Sequence, residues 1–347
     1  MTLSALLSLP QTSQGEDNYA TVFIYHRFGD KRYPSTSVSL ENFKKQLTYL
    51  KKHGYRAITV RELYRIVKEG KEIPPKTVLI TIDDGYKTTF KAFKLLKEFN
   101  FPFTVFLYME AVGRYPDFLT VKQIKEMEKS GLVEFENHLY SHPRLAKYRV
   151  KLSKKEYLKF LEREAELSEK KFKEIFKRKP QFLAFPYGEY DRLSVKFFKN
   201  RGYKLLFTQD RGSYSGSGIL VPRMAVVGSW ASFKKFVRDL KVRPLPVVEH
   251  KPPYGVIREN SVLPEFKVEG IEKYDNCSVY ATKNGWVKAE KNQEGEVKAV
   301  RPISIKTLST RIGIRCYEKK GRGKAEFFYL VIKGAKPPVK TKKGFRQ

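Results

Sequence analysis

From residue 20 to residue 208 the chain repeats one rhythm: a short, nearly continuous apolar run, then a longer stretch with apolar residues at helical spacing. Ala20–Tyr25 (ATVFIY), Thr77–Ile82 (TVLITI) and Phe103–Tyr108 (FTVFLY) are too short for helices and rich in β-branched and aromatic residues, which predicts strands buried on both faces. Val133–Glu136, Phe182–Phe185 and Lys204–Thr208 continue the series. Between the first two runs, Leu40–Gly54 places Leu40, Phe43, Leu47 and Leu50 on one helical face and stops at glycine. Val60–Lys68, Tyr86–Phe99, Val121–Ser130, Lys154–Phe176 and Arg192–Gly202 are also read as helices. This alternation predicts an α/β fold in which helices wrap a parallel sheet, open or closed as a barrel, with ligands at the C-terminal ends of the strands.

The pattern changes at Arg243-Pro-Leu-Pro, where a proline-rich stretch predicts a stiff extended linker. Beyond it, Cys277–Thr282, Gly285–Ala289, Val297–Val300, Ile303–Lys306, Arg311–Tyr317 and Ala325–Ile332 are short runs separated by glycine-containing turns, the pattern of a small β-sandwich. The expected organisation is therefore an N-terminal lead (1–18), an α/β domain (19–242), a linker (243–254), a small β-rich domain (255–335) and a disordered basic tail (336–347).

Composition narrows the classes. A formal charge of +32 on 347 residues attracts polyanions, but the excess is spread over both parts of the chain, and no basic aromatic platform or nucleic-acid motif accompanies it. Specific nucleic-acid binding is not expected, whereas peripheral association with an anionic envelope surface is. The lead has a short apolar run without preceding Lys or Arg, which suits a trimmed or unusual export signal; no segment is long enough to span a membrane. Two cysteines, Cys277 and Cys316, rule out a cysteine zinc motif and are either two buried thiols or, in an exported protein, one disulfide.

Candidate chemistry lies at the strand exits. Asp83 and Asp84 end the run TVLITI just before Gly85, so one carboxylate is placed to bind a metal and its neighbour to handle a proton. His138 and His142, in Asn137-His-Leu-Tyr-Ser-His-Pro143, face one side if the intervening turn is helical, and two histidines with one carboxylate form a facial set with positions open for water and substrate. His26 closes the first strand. In Ala184-Phe-Pro-Tyr-Gly188, Pro186 fixes the chain and Gly188 permits an unusual backbone angle, which lets the Tyr187 amide point into the site as an oxyanion donor.

These segments resemble the polysaccharide deacetylase family, carbohydrate esterase family 4. Thr81-Ile-Asp-Asp-Gly85 is similar to its first motif, His138-Leu-Tyr-Ser-His142 to its second and Phe185-Pro-Tyr-Gly188 to its third, over about residues 19–227. The resemblance implies a distorted, incomplete (β/α) barrel and a metal-dependent hydrolase that removes N-acetyl groups from a polysaccharide. It implies a divalent ion, commonly zinc, on Asp84, His138 and His142, with Asp83 as the base. The chain departs from the family at two places. Ala184 stands where many members have an arginine, and the late leucine-x-x-histidine motif that supplies the general acid has no match downstream. Phe23-Ile-Tyr-His26 resembles that last motif moved to the N-terminus, the arrangement of the circularly permuted branch that acts on poly-β-1,6-N-acetylglucosamine. His26 is then the general acid, and Arg223 in Val221-Pro-Arg-Met224 is the candidate to hold Asp83. The rival readings are a deacetylase of β-1,4-linked peptidoglycan or chitin-like polymers, and a non-catalytic carbohydrate-binding protein on the same fold.

Overall fold

A computed structural model describes residues 18–319, 321 and 323–334, so the expected basic tail and nearly all of the expected lead lie outside the described residues. In a sheet of nine strands Arg56–Ala57 is a short side branch and eight strands form the main path, the first six from the apolar runs: β1 (Ala20–Tyr25), β2 (Thr77–Asp84), β3 (Phe103–Leu107), β4 (Val133–Asn137), β5 (Phe182–Ala184), β6 (Leu205–Phe207), β7 (Leu220–Val221) and β8 (Met224–Ala225). They are ordered β7-β6-β5-β4-β3-β2-β1-β8 and all pairs are parallel. The two end strands are joined only by Pro222 and Arg223, so the sheet curls until its edges approach, an incomplete barrel with Arg223 at the seam.

Alternation along each strand separates an inside from an outside. Val22, Leu79, Phe106, Ala184, Leu205 and Phe207 pack in one interior cluster with Val60 and Leu63 of the helix Val60–Lys68. On the outside, Phe23, Ile80, Ile82 and Val105 meet Phe43 and Leu47, Phe93 and Leu96, and Phe236, which lie on the helices Leu40–Lys52, Thr89–Phe99 and Phe233–Asp239. The helix Lys154–Phe176 spans the expected residues, and its start is set by a capping box in which Ser153 and Glu156 satisfy each other's backbone amides. The helices Leu145–Lys151 and Phe233–Asp239 and the two-residue strands β7 and β8 were not anticipated in the sequence. Among the described residues no helix is long and apolar enough to cross a membrane.

The C-terminal region is a second nine-stranded sheet, including β9 (Val242–Pro244), β10 (Tyr274–Ala281), β11 (Gly285–Lys291), β12 (Ser309–Glu318) and β13 (Lys324–Lys333). Val279, Ile312, Ile314 and Val331 share one core with Phe266, Val268 and Val297, so the sheet folds over on itself as a sandwich does. The proline-rich stretch expected as a linker is instead woven into this sheet. Val242–Pro244 pairs with β13 and Val247–Lys251 pairs with Glu265–Val268, each at one end of the strand order. Edge strands tolerate proline because one side of the backbone has no ladder to satisfy. Strand β13 belongs to both cores: Tyr329 and Val331 face the sandwich, whereas Leu330 and Ile332 pack with Leu183, Phe185 and Tyr190 of the barrel.

Cys277 and Cys316 sit opposite each other on β10 and β12 and form a disulfide, the second of the two arrangements left open by the sequence. The bond closes a loop of sequence separation 39. Replacing both cysteines by alanine is expected to lower the unfolding free energy by about 2–4 kcal/mol. Urea titration checks this, and an unchanged midpoint would count against a stabilising role.

Candidate active site

The site is built where the strands end. Asp84 pairs in register with Leu107, Leu107 with Asn137 and Asn137 with Leu183, so the exits of β2 to β5 lie at one level. Asp83 and Asp84 are the last residues of β2, and the backbone then turns through two left-handed residues, Asp84 (φ 69°) and Gly85 (φ 74°). A side chain at Gly85 would also meet Leu107 at 2.6 Å, so glycine is required there twice over. The turn separates the two carboxylates: Asp83 stays with the interior-facing set and Asp84 is released toward β4.

His138 follows β4 directly, its amide donating to the Leu107 carbonyl (3.0 Å). Its Nδ1 lies 2.8 Å from the Ala184 carbonyl, which fixes the proton on Nδ1 and turns Nε2 toward Asp84. The two histidines meet without a helical turn between them. Leu139 (φ 63°) and His142 (φ 52°) are both left-handed, and the loop brings the two imidazoles within 4.9 Å of each other. Buried side chains hold this shape. Asn137 accepts from the Leu139 amide, and Glu164 accepts from the amides of Tyr140 and Ser141 and from the Ser141 hydroxyl.

Asp84 Oδ1 is 3.3 Å from His138 Nε2 and 3.1 Å from His142 Nε2. The three ligand atoms all lie within 4.8 Å of one another, and Asp84 Oδ1 and His138 Nε2 are buried without an aligned hydrogen bond among the described residues. Two imidazoles and one carboxylate gathered around unsatisfied atoms fit a divalent cation with open coordination positions. Burial favours the neutral carboxyl of Asp84, but the close approach of His138 and His142 outweighs it and holds the pKa well below the usual carboxylate range. Burial alone would depress His138; Asp83 and Asp84 keep it above its ordinary value.

Asp83 receives a bidentate grip from Arg223, with Nη1 to Oδ1 at 2.7 Å and Nη2 to Oδ2 at 2.8 Å, and neither side chain is exposed. Arg223 is itself oriented by the Thr208 carbonyl and the Thr81 hydroxyl. Burial pushes Asp83 up, yet Arg223 and then His138 leave it lowered, so it is ionised near neutral pH. His26, just after β1, has a buried Nδ1 without a hydrogen-bond partner among the described residues. Burial lowers its pKa, against the opposing charges of Asp84 and Asp83. Tyr187 is left-handed (φ 58°), its ring 4.7 Å from that of His142 and covered by the Arg144 guanidinium.

One contributor comes from the second domain. Arg311 on β12 donates to the Tyr187 carbonyl at 3.0 Å, Ser309 donates to Glu189, and the Leu330 amide donates to the Tyr190 hydroxyl. The third-motif turn is thus held from the sandwich side, and Gly188 (φ 62°) leaves room for Arg311, which would lie 2.6 Å from a Cβ there. Nothing local in the sequence marks Arg311, because its partner is 124 residues away.

Known proteins match this arrangement. The polysaccharide deacetylase family model matches residues 70–206. The poly-beta-1,6-N-acetyl-D-glucosamine N-deacetylase of Staphylococcus aureus is 30% identical over 220 residues, covering 60% of this chain and 74% of that protein. The chain belongs to the polysaccharide deacetylase family. Among solved structures, IcaB from Ammonifex degensii is similar with a TM-score of 0.55 and 25% identity, covering 65% of this chain and 98% of that one. Streptococcus pyogenes deacetylase PplD has a TM-score of 0.56 at 21% identity over 64% of this chain and 98% of its own. Membership makes this deacetylase an amide hydrolase of a metal-dependent family, and His26 and Arg223 both fall outside the span matched by the family model.

Removing one partner of a buried ion pair strands the other, at a cost of about 3–5 kcal/mol. Arg223→Ala strands Asp83, which can take up a proton, whereas Asp83→Asn strands the buried Arg223 guanidinium, which cannot shed its charge; both variants are therefore expected to lower the unfolding free energy, Asp83→Asn by about that amount and Arg223→Ala by less. Denaturant unfolding of both variants checks the order, and equal, negligible effects would contradict it.

Proposed function

We propose that the deacetylase hydrolyses the acetamide groups of poly-β-1,6-N-acetylglucosamine, with Asp84, His138 and His142 holding zinc. The observation that supports this best is the pairing of two buried carboxylates with different partners. Asp83 is neutralised by Arg223, which suits a base, and Asp84 converges with two imidazoles, which suits a metal ligand. The polymer assignment rests on the Staphylococcus aureus relative and on the histidine that follows the first strand rather than the last.

When bound, the ion polarises the acetyl carbonyl and lowers the pKa of an attacking water. Asp83 takes a proton from that water, and Arg223 keeps its carboxylate oriented and ionised until it does. The Tyr187 amide donates to the oxyanion as the carbonyl becomes tetrahedral. His26 then delivers a proton to the nitrogen as the carbon–nitrogen bond breaks, so acetate and the free amine depart. Burial lowers the His26 pKa, so the imidazole must first take up the proton that it then delivers.

Action on an envelope polymer favours an exported protein, and the Cys277–Cys316 disulfide suits an oxidising compartment. A charge of +32 favours peripheral association with an anionic envelope surface.

Asp83→Asn and His26→Ala are each expected to reduce acetate release by about 100- to 10,000-fold. Asp84→Ala and His138→Ala are expected to lose bound metal as well, measured by elemental analysis, and chelation should abolish activity that added zinc restores. Acetate release from matched β-1,6 and β-1,4 N-acetylglucosamine oligomers decides the linkage. Full activity of Asp83→Asn, or activity indifferent to chelation, would defeat the mechanism; release from β-1,4 oligomers alone would replace the polymer; and an intact enzyme that binds oligomers without releasing acetate would leave only a binding protein.

A further inference from the structure

Four strands of the sandwich carry a row of three aromatic residues and one glycine on the face turned away from the sandwich core, with Phe328 buried at its inner end. Trp286 on β11 pairs with Tyr280 on β10, Tyr280 with Gly313 on β12, and Gly313 with Phe328 on β13. Directly paired residues project from the same face of a sheet. Their sequence neighbours Val279, Ala281, Val287, Ile312, Ile314 and Tyr329 point the other way, into the sandwich. Ring centroids lie 5.3 Å apart for Tyr280 and Trp286, 5.8 Å for Tyr280 and Phe328, and 6.2 Å for Trp286 and Phe328. Gly313 makes the row continuous, because the Phe328 ring would lie 2.3 Å from any Cβ at that position. Trp286, at the outer end, is 41% exposed.

The row is tied to the catalytic turn. Arg311 precedes Gly313 by two residues, so it projects from the same face about 7 Å along the strand, and it is the residue that donates to the Tyr187 carbonyl. Trp286 lies two strands over from Gly313, roughly 10 Å sideways. A polymer leaving the metal site past Tyr187 therefore meets Arg311 and then the aromatic row within the length of a short oligosaccharide.

We propose that this face is an accessory binding site for still-acetylated segments of the glucosamine polymer, continuing the active site onto the second domain; the proposal rests on the function given above. Pyranose rings present C–H faces that pack on aromatic rings, and an acetamide adds a methyl group and a neutral dipole. The charges favour a neutral occupant. Arg315 lies 3.9 Å over Trp286 and is paired with buried Glu326, and Arg311 lies 3.4 Å from Asp210, so neither guanidinium is a free anion receptor. A deacetylated segment carries ammonium groups, and a protein of charge +32 repels them. The face thus holds substrate and releases product.

The test uses the full chain. Trp286→Ala and Tyr280→Ala are expected to raise KM for the acetylated polymer roughly three- to tenfold, with kcat on an acetylated disaccharide unchanged and with Trp286→Phe restoring most of the loss. In the Asp83→Asn background, calorimetric titration with acetylated β-1,6 oligomers should weaken by the same factor on adding Trp286→Ala, and fully deacetylated oligomers should bind worse than acetylated ones. Unchanged KM and unchanged titration would overturn the proposal, as would preferential binding of the deacetylated oligomer or of a polyanion such as polyglycerol phosphate. If the parent enzyme releases no acetate, the function given above fails, and the titration alone then decides: loss of oligomer binding on Trp286→Ala supports the surface, and no loss removes it.

Discussion

The bidentate pair between Arg223 and Asp83 is the constraint on which the site depends. Arg223 occupies the two-residue passage between the end strands of the barrel, and Asp83 ends the strand that borders β1. One ion pair therefore joins the seam to the C-terminal end of β2 and sets the charge of the carboxylate. Without a cation, a fully buried Asp83 would take up a proton; with Arg223 it stays ionised. The pair is excluded from water and its donors are further committed to Thr81 and Thr208, so it stays rigid where an exposed ion pair would not.

Backbone strain recurs in the motif segments. Asp84, Leu139, His142 and Tyr187 are all non-glycine residues with positive φ, and each belongs to one of the three motif segments. Such conformations persist only where the surroundings over-determine them. Here the surroundings are identifiable: Glu164 and Asn137 for the histidine loop, Leu107 packed over Gly85 for the aspartate turn, and Arg311 for Tyr187. The last of these ties the sandwich to the barrel, since Arg311 on a sandwich strand bonds the third-motif turn directly.

Much of this was legible in the sequence, and the limits have physical causes. The barrel strands and the long helices carry their own signals, in continuous apolar runs, helical spacing and capping residues such as Ser153 and Glu156. Asp83, Asp84, His138 and His142 could be read because each pair lies in a short local motif. The conformation between the histidines stays open in the sequence because i,i+4 spacing does not distinguish a helical turn from a loop pinned by Glu164, a residue more than twenty positions away. The proline-rich stretch was read as a linker because proline content reports what a segment cannot do in a central strand and says nothing about edges, where it was used. The disulfide and Arg311 depend on strand pairing across long separations, which composition does not encode.

The departure at Ala184 and the position of Arg223 are two sides of one packing solution. Ala184 lies in the interior cluster with Phe106, and the Arg223 guanidinium lies 5.6 Å over that same phenylalanine ring. A second long side chain at position 184 would have to share this volume, and interiors packed near crystal density do not accept one without displacing another. A small residue there leaves the space and keeps its carbonyl for His138 Nδ1, while the cation arrives from the seam instead. The cation on Asp83 thus comes from the passage between β7 and β8 and not from the third motif. The Asp-Asp and His-x-x-x-His segments can stay in place when that source changes, because Asp83 requires a buried cation at its oxygens and not a cation from a particular position in the chain.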